Sequence, residues 1–173
     1  MKRSACYLLA FLLVFLMPIT ASAESTTLSI EVPAPSYTLN VPVNQTISYL
    51  ASETSIGGIT VTNTSGFASH HVLSVGVTYD GCFACPNNAS PIFYSLKCKG
   101  LDSDTRYDFS PGSCVNFTTN SDGTLSSRPT LPDGTPADEF VVVIDTSCWD
   151  AALGGTYTTT ITYTASIGAN LEP

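Results

Sequence analysis

Residues 80–91 read DGCFACPNNASP and place Cys82 and Cys85 in a Cys-x-x-Cys pair. Such a pair serves as a redox dithiol, as half of a zinc site, or as structural sulfur. The redox form needs a strand before it and a helix after it, because the helix N-terminus lowers the pKa of the first thiol. Here an alternating apolar run precedes the pair, but Pro86-Asn87-Asn88 is a turn sequence and no helix follows. A structural zinc needs four ligands, usually as two paired knuckles. Cys98, Cys114, Cys148, His70 and His71 are the available complements to Cys82 and Cys85, and their spacing selects none of them. No cofactor is therefore expected. Structural sulfur is the favoured role for Cys82, Cys85, Cys98, Cys114 and Cys148. Five is an odd number, so two disulfides would leave one thiol over and the connectivity stays open. Cys98 and Cys114 bracket a polar loop that a disulfide would staple.

Other candidate constellations are weaker. His70 and His71 are adjacent, so on a strand they would point to opposite faces, a poor arrangement for two ligands of one metal. No Gly-x-Ser-x-Gly elbow occurs, and neither histidine has a nucleophile or acid nearby in sequence. The chain is not expected to be an enzyme. In DSDTRYD, residues 102–108, the acids Asp102, Asp104 and Asp108 resemble part of a calcium loop. Arg106 stands where an EF-hand wants a carboxylate or amide, so a solvated acidic loop is the expectation. Asn44, Asn63, Asn88 and Asn116 each open an Asn-x-Ser/Thr sequon, which assigns nothing without knowledge of the host.

The elements that must position these residues lie behind an export signal. Lys2 and Arg3 precede an apolar run over residues 5–17, and Ala21-Ser22-Ala23 has the small residues of a cleavage site. That run is shorter than the roughly 20 residues a membrane crossing needs. Residues 1–23 are read as a signal peptide and 24–173 as a single secreted domain, extracellular or at the cell surface and not held in a membrane. After cleavage, Lys97, Lys99, Arg106 and Arg128 face fourteen acids. Nucleic acid is an improbable partner for so acidic a chain, since binding it rests on basic patches.

Ser and Thr together number 44 of 173 residues, a composition that favours strands and turns over helices. The chain beyond residue 23 reads as short period-two runs. These are LSIEV (28–32), YTLNV (37–41), TISYL (46–50), GITVT (58–62), VLSVGVTY (72–79), IFYSLKC (92–98), CVNFTT (114–119) and the continuous EFVVVID (139–145). A final run, GGTYTTTITYTASI (154–167), puts Tyr157, Thr159, Ile161, Tyr163 and Ala165 on one face and a row of Thr on the other. One such Thr row is no ice-binding array. Eight or nine strands separated by turn signals, with no amphipathic helix, indicate an all-β fold, an Ig-like antiparallel β-sandwich. Residues 100–138 are expected to carry small hairpins and irregular loops.

Two stretches carry a family resemblance. YTLNVPVNQTISY with IGGITVTN resembles the opening of secreted Ig-like domains of Gram-positive surface proteins. CWDAALGGTYTTTITYTAS is similar to their closing strand and to the last strand of pilin-like and adhesin domains. Trp149-Asp150-Ala151 does not match the WxL wall-binding motif, and LPDGT at Leu131 departs from a sortase signal. The resemblance implies adhesion or assembly at a cell surface, with other protein subunits or host and cell-surface ligands as partners and a possible homo-oligomer. It assigns no catalytic residue. Physically, strands near the chain ends can join the open sheet edge of another subunit. Leu28, Ile30 and Val32 on an N-terminal arm, and Tyr157, Ile161 and Tyr163 on the last strand, are the assembly candidates; an ordinary first strand of its own sandwich is the other reading of that arm. The alternative function is an extracellular ligand- or metal-binding module built on the Cys82/Cys85 loop.

Overall fold

The computed structural model describes residues 29–31 and 34–169. The chain divides into two units, residues 1–32 and 33–173. Of the first, Ser29, Ile30 and Glu31 lie outside any strand and Ile30 is exposed. Leu28, Val32 and the signal segment 1–23 lie outside the described residues.

The second unit is all-β and antiparallel throughout. Its strands are β1 (Ser36–Asn40), β2 (Glu53–Gly57), β3 (Thr60–Ser65), β4 (His71–Tyr79), β5 (Cys82–Cys85), β6 (Asn88–Phe93), β7 (Ser95–Lys99), β8 (Tyr107–Asp108), β9 (Cys114–Thr118), β10 (Glu139–Val143) and β11 (Ile161–Ala169). A 3-10 turn at Thr146–Trp149 is the helical element among the described residues. The two larger sheets run β2-β10-β7-β8 and β11-β4-β9, and β1-β3 and β5-β6 form two-stranded ribbons. Eleven strands stand where eight or nine were expected. Among the described residues, 92–98 is broken at Tyr94 into β6 and β7, Cys82–Cys85 pairs with β6 instead of forming a loop, and β2 and the two-residue β8 are additions, while 29–31 and 46–50 form no strand.

Alternation decides the core. Leu73, Val75 and Val77 of β4 and Val115 and Phe117 of β9 point inward from one sheet; Leu96 and Cys98 of β7 and Phe140 and Val142 of β10 point inward from the other. All are nearly or fully buried, so a period-two pattern becomes one continuous apolar layer between sheets. Val141 is buried as well, as the unbroken EFVVV run requires of a strand with neighbours on both faces.

Three local departures from the expected strands matter below. The TISYL run is not a strand: among the described residues 46–48 join no ladder, the Ser48 carbonyl accepts the Ala51 N–H at 3.1 Å, and Tyr49 and Leu50 turn, with Leu50 in the left-handed region at φ 63°. The pairing falls instead to β2, a few residues later, against β10. The last strand begins at Ile161, later than expected, because Thr158 exchanges backbone hydrogen bonds of 2.8 and 2.9 Å with Ala84 of β5. Tyr157 thus stands off the strand, and its hydroxyl meets Asn88 and the backbone of Leu153.

The 100–138 connection is held by one ion pair. Arg128 donates to both Asp138 carboxylate oxygens, Nε at 2.8 Å and Nη2 at 2.6 Å, while the Leu101 N–H donates to Oδ2 at 3.1 Å. Inside the connection, Asp122 and Asp133 close turns by accepting the N–H groups of Thr124 and Thr135. Arg128 also reaches Asp102 at 3.3 Å, Arg106 pairs with Glu53 at 2.8 Å, and Lys97 pairs with Asp108 at 3.2 Å. Of the acids compared to a calcium loop, Asp102 and Asp108 pair with different cations, whereas the Asp104 carboxylate pairs with none among the described residues.

Two expected outcomes follow from these contacts. At Gly58, between β2 and β3, an added Cβ would lie 1.8 Å from the Asp138 carbonyl oxygen. Gly58→Ala must move backbone against backbone, and urea unfolding is expected to show a loss of at least about 2 kcal/mol. The Arg128 guanidinium holds the Asp138 carboxyl below the usual carboxylate range. A depressed folded pKa adds stability above the unfolded value near 3.9, which is lost as pH falls through the folded value. Asp138→Asn is therefore expected to cost about 1–3 kcal/mol at pH 7. The difference from wild type should shrink as pH falls below the unfolded value and through the depressed folded one; a gap that does not change with pH would contradict this origin.

Candidate functional site: a groove between open sheet edges

Among the described residues, β2 pairs only with β10, and β11 pairs only with β4, over nine consecutive residues. Each of the two larger sheets therefore ends on a strand with one unpaired side. Between these ends lies a groove of about 940 Å³. Ile56 of β2, Val142 of β10 and Ile144 line it, together with Phe83, Ile92 and Trp149 and the inward face of β11, Ile161 and Tyr163. Residues 42–47 run along it as well, and they take part in no backbone hydrogen bond among the described residues.

The floor carries apolar side chains, and Asn44, Gln45, Thr46 and Thr156 to Thr159 add polar groups to the lining. Burial, with Tyr94 adding, pushes the half-buried Tyr163 hydroxyl up to about 12. Phe83 packs against Tyr94, which stacks on Tyr79 with ring centroids 5.6 Å apart, so the aromatic floor continues into the core. The rim is apolar too: Val43 is 75 %, Tyr49 72 % and Leu153 67 % exposed. Tyr49 meets Trp149 edge to face at 5.5 Å. Trp149, the sole tryptophan, is buried, and its indole Nε1 has no hydrogen-bond partner among the described residues. A buried donor left unpaired costs on the order of 1–3 kcal/mol.

The residues singled out from sequence divide in two. Tyr157, Ile161 and Tyr163 are brought together on this groove. The cysteines are not gathered into a site. All five are free thiols, and no cluster of three or more metal-ligating side chains exists among the described residues. The staple between Cys98 and Cys114 is not formed, and the alternation explains why. Cys98 faces the core from β7, whereas Cys114 on β9 stands opposite Gly76 with Asn116, on the side away from buried Val115 and Phe117. Cys85 packs against Gly155 beside the groove, and Cys82 lies half-buried opposite Phe93. His71 accepts the Ala68 N–H on Nδ1 at 3.1 Å, which occupies it locally.

Sequence reasoning missed residues 42–47, Phe83 and Ile92 as parts of the site. The one available signal was Pro42 within VPVNQTI, since a proline in an apparent strand marks an edge or a stretch outside the ladder.

Cys98 is fully buried, and burial first, with the Asp133 charge adding, pushes its thiol up to about 11. Because the thiolate is the nucleophile, iodoacetamide at pH 8 is expected to leave Cys98 unmodified in the folded chain. Unfolding in urea should make it react like the other four. Native labelling of Cys98 as fast as Cys82 would count against this burial. The chain matches no family model, no curated protein and no solved structure, so its function is read from its own geometry.

Proposed function

We propose that this chain is a secreted structural or adhesive cell-surface protein, a subunit of pilus or filament type that associates by β-strand addition. The observation that carries the reading is the groove: an unpaired edge strand, β11, and unpaired backbone at 42–47 border one apolar cleft. An extended segment laid there gains main-chain hydrogen bonds along an edge and pockets for every second side chain. Each Val, Leu or Ile that it buries contributes about 1.5–3 kcal/mol. Ordering the segment offsets part of that gain, so several apolar side chains have to be seated together.

The acidic surface fits such a role. All four basic side chains beyond the leader are engaged in ion pairs, leaving no basic patch for nucleic acid. Ile161, Tyr163 and Tyr157 supply the recognition surface in this reading, and the cysteines serve packing.

Negative-stain microscopy and sedimentation of the chain from Glu24 onward test it. Multimers or fibres are expected at micromolar concentration. The double rim variant Val43→Asp, Leu153→Asp changes only residues exposed in the free subunit, and should reduce the multimeric fraction at least tenfold with an unchanged melting curve. Undiminished assembly by the rim variant would remove the groove from the account.

A further inference from the structure

We infer that the groove is also a binding site for a neutral oligosaccharide. Strand and saccharide are alternative occupants of one surface. The inference goes beyond the strand-accepting reading and rests on the lining of the groove alone, so either can fail without the other.

The lining differs from the rest of the surface in its charge. Beyond residue 23, fourteen acids stand against four bases, yet none of the residues lining the groove is Asp, Glu, Lys, Arg or His. An ionic ligand finds no counter-charge there and gives up hydration with nothing in return. An anionic one also meets the repulsion of the acidic surface around the groove. The electrostatics admit an uncharged ligand.

The polar groups say which kind. Asn44, Gln45, Thr46 and Thr156 bring exposed side chains to the groove. Each amide offers donors and an acceptor, and each hydroxyl offers both. The neighbouring hydroxyls of a sugar ring, which also donate and accept, match that set. A hydrocarbon matches none of it, and every polar group it dries without a partner costs about 1–3 kcal/mol. The hydroxyls of Tyr157 and Thr159 are already engaged, by Asn88 and Tyr94, so recognition falls to the four exposed side chains.

Aromatic rings supply the apolar half of the match. Tyr49 is 72 % exposed, and its edge-to-face contact with Trp149 at 5.5 Å holds the ring in place at the rim. Phe83 and Tyr163 stand half-buried in the lining. The face of an aromatic ring is its negative side, and the C–H face of a sugar is weakly positive. The groove of about 940 Å³ lies at the upper end of the ~300–1,000 Å³ usual for small-ligand sites, which suits several linked rings better than one.

An array of neutral and acidic oligosaccharides, probed with the chain from Glu24 onward, tests the inference. Neutral oligosaccharides should be retained, and sialylated or uronic-acid ones should not. The best retained one, titrated in solution, should change the emission of Trp149, the sole tryptophan. Asn44→Ala with Gln45→Ala alters only exposed side chains and should weaken that binding by about tenfold or more with an unchanged melting curve. Tyr49→Ala should weaken it too, whereas Tyr49→Phe should retain it. Three results would overturn the inference: no neutral oligosaccharide retained, acidic ones retained in preference, or undiminished binding by the double variant. A long-chain fatty acid bound while the array stays blank would name a hydrocarbon occupant instead. Saccharide binding by a chain that forms no multimers would leave this inference standing and remove strand addition; multimers with a blank array would do the reverse.

Discussion

A strand at the end of a sheet presents a row of backbone N–H and C=O groups that must be met by water, by another strand, or by a covering element. In this domain one such edge meets no other strand among the described residues, beside a cleft floored by apolar side chains. β11 is fixed along nine residues to β4, and its other side is unpaired beside Ile161 and Tyr163. Residues 42–47 lie along the same cleft with no ladder of their own. Had TISYL paired as its alternation suggests, the cleft would have been narrowed from within the chain. The turn at Tyr49 and Leu50, held at a positive φ by Leu50, sends the pairing to β2 and keeps 42–47 free.

The remainder of the structure supports that opening. The β5-β6 hairpin brings Phe83 and Ile92 to the groove, and its link to Thr158 directs the chain across the mouth before β11 begins. The 3-10 turn, capped by Asp145 accepting from the Ser147 N–H at 2.8 Å, delivers Trp149 to the cleft. Far from it, the Arg128–Asp138 pair and the Asp122 and Asp133 turns give the long 100–138 connection a defined path over the other end of the sandwich.

Much of the fold was legible because it rests on period two. The inward faces of β4, β7, β9 and β11 follow directly from VLSVGVTY, SLKC, CVNF and ITYTA, and the double burial of β10 follows from its unbroken apolar run. What was not legible depends on partners distant in sequence. Nothing near Cys82 says that CFAC will pair with residues 88–93, and nothing near Tyr157 says that Thr158 will be held by Ala84. Of the site, the sequence displayed the β11 residues, since they alternate. It concealed the groove, which is a property of edges left unpaired and so of pairings that do not occur. The cysteine pair that looked most like chemistry lies on β5 as two free thiols.

The distribution of charge bears on how copies of this chain meet. Lys97, Lys99, Arg106 and Arg128 are all neutralised by Asp108, Glu139, Glu53, Asp102 and Asp138, so Asp80, Asp104, Asp122, Asp133, Asp145 and Asp150 stand without a cation. Asp145 and Asp150 stand close to Trp149 in the sequence. Two such subunits repel at a distance, and the repulsion reaches about 30 Å at 0.01 M ionic strength but only about 8 Å at 0.15 M. Any encounter between copies would therefore depend on the salt content of the surroundings.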